Sequence, residues 1–490
     1  MIPLPKQIRV FKKRFWMTSR VDYQRNADLP EKIFRYLVSD LDAFYHNLID
    51  VGYLDDDHTM SVMFKLAPFN KKVPPDYYFL KVDTLAIQIQ AESSNGIIHA
   101  VQTLKQHLYE AYYYIDIDDE FGEPGDLPCL EIRDWPSYSW RGLHLDVSRH
   151  FFDFKFVKRY LDWMAHAKLN KFHWHLSDDQ GWRLESKKFP RLHEVGAWRK
   201  EADGSIHGGY YTRRQIKAVL DHAALRGIEI IPEIDIPGHA MAILAAYPDL
   251  ACFPQDFETL NVWGISEDIL CAGKDEVIDW LKELFSEVAE LFPGRYVHLG
   301  GDEAPKQRWQ NCPHCQARIK KQGLAGEEAL QGWLVQTLAQ HLKSLDKTVI
   351  GWDEILDGQP GQDPIVMIWR GDGIDAARMA HDNGNHYILS PYTKLYFDAR
   401  NSKYDTLGTH QIINWQDVLK FRFQDYTFQR KELLLGAQAN VWTEHLANKA
   451  DLKEKVAHRL YPLAEILWNG EPVEDVMEFW NRWRDLGFRL

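Results

Sequence analysis

Residues 276–303 read EVIDWLKELFSEVAELFPGRYVHLGGDE. From Glu276 to Leu291 the apolar residues recur every three or four positions, the spacing of one buried helix face. Pro293 and Gly294 end that pattern. A β-rich run, Arg295–Glu303, follows at once and finishes in two glycines and two carboxylates. A helix delivering the chain straight into a strand is half of a repeating unit, and the same grammar continues on both sides.

Working outward, seven further segments have the composition of short strands: Gly142–Ser148, Asn170–Ser177, Ile228–Asp235, Thr348–Ile355, Pro364–Gly371, His386–Pro391 and Leu433–Glu444. Between them, Phe156–Lys168, Arg213–Arg226, Glu327–Leu345 and Ile374–Asn383 repeat the helical spacing of Glu276–Leu291. Strand alternating with helix implies a parallel sheet. Eight such units over about 320 residues fit a closed (β/α)8 TIM barrel with inserted loops better than an open sheet. The insertion between Asp235 and Arg295 is expected to be loop and helix over the barrel mouth. Neither a G-x-G-x-x-G turn nor a Walker loop joins a strand to a helix, which argues against nucleotide binding. Residues 1 to about 136 differ: Leu85–Gln90 alternates with period two, and Ile97–Leu108 is helical after the Gly96 turn. The chain is therefore expected to be α/β, a small α+β domain over 1–136 preceding a barrel over 137–490.

The 490 residues are 45% hydrophobic and 26% charged, an ordinary balance for a folded protein. The formal charge of −13, without basic runs, makes nucleic acid and anionic membrane poor partners. No apolar stretch approaches the roughly 20 residues that span a bilayer. Met1–Thr18 lacks the apolar core of a signal peptide. A cytoplasmic location is expected on that ground, and a secreted or periplasmic one if a leader has been removed. The five cysteines are too few and scattered for a disulfide scaffold. Cys312-Pro-His-Cys315 has the spacing of half a zinc site or a redox motif, but no second pair follows, so an ordinary loop is expected. The load of 18 Trp, 22 Tyr and 24 Phe supplies flat rings that can stack on sugars as well as fill a core.

In barrels of this kind chemistry gathers where the strands end. Those ends carry Asp146, Ser148 and Arg149; Ser177, Asp178 and Asp179; Glu233, Asp235 and nearby His239; Asp302 and Glu303; Trp352, Asp353 and Glu354; Trp369 and Arg370; and Trp442 and Glu444. Any one carboxylate could be a helix N-cap, Asp178 and Asp179 being good examples. His175 and His298 lie within strands and read as hydrogen-bonded core histidines. As a set, acids and tryptophans point to glycoside chemistry, whose oxocarbenium-like transition state needs negative charge and a proton donor. In Gly300-Gly301-Asp302-Glu303 the glycines permit a sharp turn that aims both acids into one cleft. Sharing it, the acids would repel, and one would hold its proton near neutrality.

His298 to Glu303 resembles the H-x-G-G-D-E signature of glycoside hydrolase family 20, the β-N-acetylhexosaminidases. Trp140–Gly142 with Leu145–Phe151, Asn170–Arg183 and Pro232–His239 resemble the family's first three barrel strands, in order. The small domain is matched chiefly at Gly96–Leu104. The resemblance implies an exo-acting, retaining enzyme releasing terminal β-linked N-acetylhexosamine, with the substrate's 2-acetamido oxygen as nucleophile and an oxazolinium intermediate. It implies Glu303 as general acid and base, Asp302 as the group orienting the acetamido N–H, and Tyr396 as donor to the acetamido oxygen. Asp235 and His239 would form a pair buttressing Glu303. Their spacing would also suit zinc, but no third ligand is apparent, and no metal or cofactor is expected. Arg141, Asp398 and Glu444 would bind sugar hydroxyls, Trp333, Trp352 and Trp442 would box the acetamido methyl, and Trp415 would stack on the ring. A Cys252–Cys271 disulfide occurs in secreted relatives, and reduced thiols are equally compatible with the sequence. Alternatives are a relative that releases a disaccharide or prefers a sulfated sugar, and a non-catalytic barrel that binds glycans. The natural polymer, the preference between GlcNAc and GalNAc, and the oligomeric state are left open.

Overall fold

A computed structural model describes residues 1–49, 55–113 and 126–486. Each of the eight expected segments contributes a parallel strand: Trp140–Asp146, Lys171–His175, Glu229–Glu233, Tyr296–His298, Thr348–Trp352, Ile365–Ile368, Tyr387–Leu389 and Leu434–Ala439. The eighth pairs with the first, from Gly436 opposite Trp140 to Ala439 opposite Leu143, and the sheet closes into a barrel. The strands are shorter than the β-rich segments because the last residues of each segment leave the ladder and build the mouth.

The helices between them form where the apolar spacing placed them: Phe154–His166, Arg213–Ala224, Asp275–Leu291, Glu327–Lys343 and Ile374–Asn383. Their starts are chemically marked. Asp153 accepts from the amides of Lys155 and Phe156, and Thr212 and Gln215 form a reciprocal capping box. Inside the barrel a lower apolar layer contains Trp140, Ile231, Ile350, Ile365, Met367 and Ile388. One layer up the filling is polar, with His144, His173, His175, His298 and Glu233 all buried. Among the described residues no helix is long and apolar enough to cross a membrane.

The N-terminal region is a six-stranded mixed sheet whose strands run from Gln7 to Asp134. The helix Ser94–Tyr113 packs on it through Ile97, Ile98, Val101 and Leu104. Its other face is buried too, although it carries His99, Gln102 and Gln106. These side chains meet the barrel and the chain start: Gln102 lies 3.0 Å from His166, and the Gln106 side chain bonds both backbone groups of Ile2. Asp134, at the end of the sheet, fixes the junction. It accepts from Tyr78 at 2.7 Å, Trp468 at 2.9 Å and Lys168 at 3.4 Å, all buried.

Arg141 belongs to this junction and not to the mouth. It is the second residue of its strand, so it stands at the end of the barrel opposite the strand termini. It donates to the carbonyls of Lys168 at 2.9 Å and Tyr138 at 2.8 Å, contacts His99 at 3.2 Å, and lies over the Trp468 ring. Sugar binding by Arg141 is thus excluded by position. Arg141→Ala leaves the buried Lys168 carbonyl and the part-buried Tyr138 carbonyl without this donor, opens a cavity, and should lower unfolding free energy by ~2–4 kcal/mol. Urea unfolding followed by tryptophan fluorescence measures this; a loss under about 0.5 kcal/mol, as for an exposed side chain, would refute the junction role.

Candidate active site

Asp235 organises the fourth strand end. Its Oδ1 accepts from the Gly301 amide at 3.1 Å, and a Cβ on Gly300 would fall 1.7 Å from that same oxygen. Only glycine fits there. Gly300 and Gly301 have φ of +69° and +100°, and Glu303 itself has φ of +46°. This turn brings Asp302 and Glu303 to one cavity of about 160 Å3, lined also by Arg149, His239, Trp369, Tyr392, Tyr396, Asp398, Thr409, Trp442 and Glu444. His239 Nε2 lies 3.8 Å from the Asp302 carboxylate and 3.4 Å from that of Glu303. A larger cavity, about 840 Å3, lies around Tyr138, Arg141 and Gly470 at the other end of the barrel, away from the strand termini.

The expected Asp235–His239 pair does not form. Asp178 takes the histidine instead, its Oδ1 3.1 Å from His239 Nδ1, with Asp179 at 3.6 Å. Asp235 is occupied behind the Gly-Gly turn and hydrogen-bonds Asp302. Asp178 is therefore no helix cap: it also holds His175 at 2.8 Å and Arg149 at 2.9 Å. Asp179 does accept from a helix start, but a remote one, the Met241 amide at 3.0 Å. His175 and His298 are the core histidines expected, at 2.5 Å and 3.1 Å from Glu233. Glu233 also accepts from Trp352 Nε1 at 2.8 Å, which locks that ring.

Charge is sorted by these contacts. Burial alone would lower His239 and His175, yet Asp178 beside the first and Glu233 and Asp178 beside the second hold them cationic, His175 up to about 10. Burial would raise Asp178, but Arg149 and His239 hold it far below the usual carboxylate range. Burial, then Asp302, drives Asp235 well up. Burial likewise pushes Asp302 up, against the pull of His239. Of the two, Asp235 is driven up further and is the member that favours the proton. The repulsion expected between Asp302 and Glu303 is a minor cause beside burial. Burial also raises Glu354 to about 9 and, with Glu444 next to it, Asp398 to about 8.

Of the expected binding residues, Tyr396, Asp398, Trp442 and Glu444 line the cavity. Trp352 lies fully buried beside Trp442, ring centroids 6.0 Å apart, and forms the floor beneath it. Trp333 sits inside the outer helix Glu327–Lys343 with the Arg318 guanidinium 4.6 Å over its ring, away from the cavity lining. Trp415 is packed against Phe479, Trp480 and Trp483 in a separate cluster. Arg149 and Trp369 line the cavity in their place. Arg149 lies 3.8 Å from Glu444 and 5.0 Å over Trp442. Asp146 fixes it from below, accepting from its amide at 3.2 Å and its side chain at 3.3 Å. Trp369 is stacked near Tyr396 and donates to Glu354 at 2.8 Å. Both had been visible as strand-end residues; Arg141 and Trp333 had not.

A (β/α)8 barrel whose mouth holds an adjacent acid pair, further buried carboxyls and a wall of tryptophan and tyrosine has the parts that glycoside chemistry uses. The glycosyl hydrolase family 20 catalytic domain matches residues 138–471, and the family's domain 2 matches residues 1–135. The chain belongs to glycosyl hydrolase family 20. It is 39% identical over 420 residues to a beta-hexosaminidase of Porphyromonas gingivalis, covering 84% of this chain and 53% of that protein. It therefore spans about half the length of that relative. A beta-hexosaminidase of Vibrio furnissii is 31% identical over 489 residues, covering 95% of this chain and 76% of its own. The crystal structure of a GH20 exo beta-N-acetylglucosaminidase from Vibrio harveyi in complex with N-acetylglucosamine superposes with a TM-score of 0.85 at 28% identity, covering 99% of this chain and 76% of that one.

Asp398 gives a pH signature. Its carboxyl is raised from an ordinary 3.8 to about 8, so the folded state binds its proton more tightly than the unfolded chain does. The stability this contributes is complete below pH 3.8 and is lost as pH rises through about 8. Asp398→Asn imitates the protonated form and should melt above the parent, the gap widening from pH 5 to pH 9. Thermal scans at a series of pH values test this; a gap that is flat or inverted refutes the protonated assignment.

Proposed function

We propose that this chain is an exo-acting, retaining β-N-acetylhexosaminidase that cleaves terminal β-linked N-acetylhexosamine through an oxazolinium ion formed by the substrate's own acetamido group. The observation that carries the reading is the shared contact of Asp302 and Glu303 with one nitrogen of His239, at 3.8 and 3.4 Å. An enzyme nucleophile must attack from the sugar face opposite the departing group, with the two carboxyls flanking the bond. Adjacent residues meeting at one imidazole serve neighbouring atoms on one sugar instead. The other carboxyls of the mouth fit this division: Asp398 and Glu354 are held protonated at neutral pH, which makes them donors and poor nucleophiles.

In this mechanism Glu303 protonates the leaving oxygen and then takes a proton from the attacking water. His239 Nε2, 3.4 Å from the Glu303 carboxylate, holds that side chain in place. Asp302 accepts from the acetamido N–H and stabilises the cation that develops on the ring being formed. Asp235, by donating to Asp302, sets that carboxylate's orientation. Tyr396 is placed among Trp369, Trp442 and Tyr392 to meet the acetamido oxygen, while the indoles exclude water around its methyl. Arg149, Asp398 and Glu444 supply donors and acceptors for ring hydroxyls. The Vibrio harveyi relative was crystallised with N-acetylglucosamine, which supports that sugar class here.

A chromogenic β-N-acetylglucosaminide should be hydrolysed while the matching β-glucoside, which lacks the amide, is not; equal rates on the two would remove the mechanism. Glu303→Gln should lose about 10²–10⁴ in kcat, mainly for poor leaving groups. Asp302→Asn should lose at least about 10² for all leaving groups. Azide should restore Glu303→Ala with a good leaving group, giving the β-glycosyl azide; identical leaving-group profiles for both variants would count against the roles assigned.

A further inference from the structure

The fold gathers four of the five cysteines at one point. Cys252, Cys271, Cys312 and Cys315 are all buried, and their sulfurs lie within 4.8 Å of one another. Cys252 and Cys315 are 3.7 Å apart, as are Cys271 and Cys312, and Cys271 and Cys315. All four are free thiols, so the Cys252–Cys271 disulfide found in secreted relatives is not formed here. The second pair that would complete Cys312-Pro-His-Cys315 does not follow it in sequence; it precedes it, on the insertion between the third and fourth strands. The ordinary-loop reading of this motif is corrected accordingly.

The geometry points to a structural zinc site with four cysteine ligands. A tetrahedron of Zn–S bonds about 2.3 Å long has edges of about 3.8 Å, which is the spacing of the three closest sulfur pairs. The two halves are built for it. The Ala251–Leu270 bridge, with the Cys271 amide donating to the Leu250 carbonyl at 2.9 Å, sets Cys252 and Cys271 side by side. Cys312 immediately precedes the helix Pro313–Gln322 and Cys315 lies in its first turn, so one short segment supplies both sulfurs. The Gly273 amide hydrogen-bonds the Cys271 sulfur, and a Cβ at Gly273 would meet the Cys315 nitrogen at 2.2 Å. Four thiolates fill every position of a tetrahedral ion, so the centre is closed to water and substrate and is not catalytic. Soft sulfur donors in this geometry select zinc over the harder divalent ions. Within the barrel, His175, Asp178 and Glu233 are engaged by hydrogen bonds and ion pairs with one another and with Arg149 and Trp352.

The site fastens the two loops that carry chemistry. The Leu270 amide donates to Pro237, two residues before His239, and Trp309 Nε1 donates to the Leu270 carbonyl at 2.9 Å. Trp309 lies in the helix Gln307–Asn311 that directly follows the Glu303 turn. Zinc would therefore hold His239 and Glu303 in register from behind.

The whole chain, purified from zinc-supplemented culture and dialysed against metal-free buffer, should contain about one zinc per chain by plasma mass spectrometry. Titration with an organomercurial should release that zinc as the clustered thiols react, with a fall in melting temperature. Cells grown on cobalt should yield protein with the visible absorption of tetrahedral cobalt–thiolate. Cys312→Ser/Cys315→Ser should hold less than about a tenth of the parent's zinc. The proposal is overturned by parent protein without stoichiometric metal, by iron in place of zinc, or by zinc retained in the double variant. The parent's metal content and the cobalt spectrum decide the matter even if the variant fails to fold.

Discussion

The contact between the Asp235 carboxylate and the backbone of Gly300 and Gly301 governs the geometry of this mouth. The oxygen that accepts the Gly301 amide also occupies the space a side chain at position 300 would need. The chain is forced through two left-handed residues and emerges with a third at Glu303. On a regular strand Asp302 and Glu303 would point to opposite faces. Here both reach one imidazole. A carboxyl group at 235 is thus a geometric requirement before it is an electrostatic one.

Behind that turn a line of charges runs from the barrel interior to the cavity: Glu233, His175, Asp178, then His239 and Arg149. Each buried anion is met by a buried cation at hydrogen-bond distance, which is what makes ionised groups tolerable at this depth. Carboxyls outside the line, Asp398 and Glu354 among them, have no such partner close enough and hold protons instead. Burial thus divides one set of acids into fixed anions and proton donors without any change of residue type.

What the sequence revealed depended on whether the signal was local. All eight strands were legible because each is a short β-rich run between helices whose apolar faces repeat. The acid pair was legible because Gly-Gly-Asp-Glu is contiguous. Errors arose where a residue type was matched without its place on the strand. Arg141 is the second residue of the first strand and Arg149 follows its end, and only the latter can reach the mouth. Trp333 and Trp415 lie in helices, whereas Trp369 follows the sixth strand. The Asp235–His239 spacing was misleading because the turn at Pro237-Gly238-His239 breaks the helical geometry that i to i+4 contact requires. The cysteine cluster was hidden for a different reason: its halves are some 40 residues apart and one is split by an 18-residue excursion, so only the folded loop shows a tetrahedron.

Two residues that meet at the mouth, His239 and Glu303, are non-glycine residues with φ near +50°. Such conformations cost of order 1 kcal/mol or more each and persist only where the surroundings over-determine them. For Glu303 the constraint is the glycine turn and Asp235. For His239 it is the paired carboxylates of Asp178 and Asp179 on one side and, on the other, the loop fastened through Leu270, Trp309 and the four sulfurs. Both strained residues lie in the loops that follow strand ends, outside the ladder. A cross-link at the four sulfurs, which adjoin both strained loops and lie outside the cavity lining, would therefore oppose relaxation of either backbone without filling the mouth.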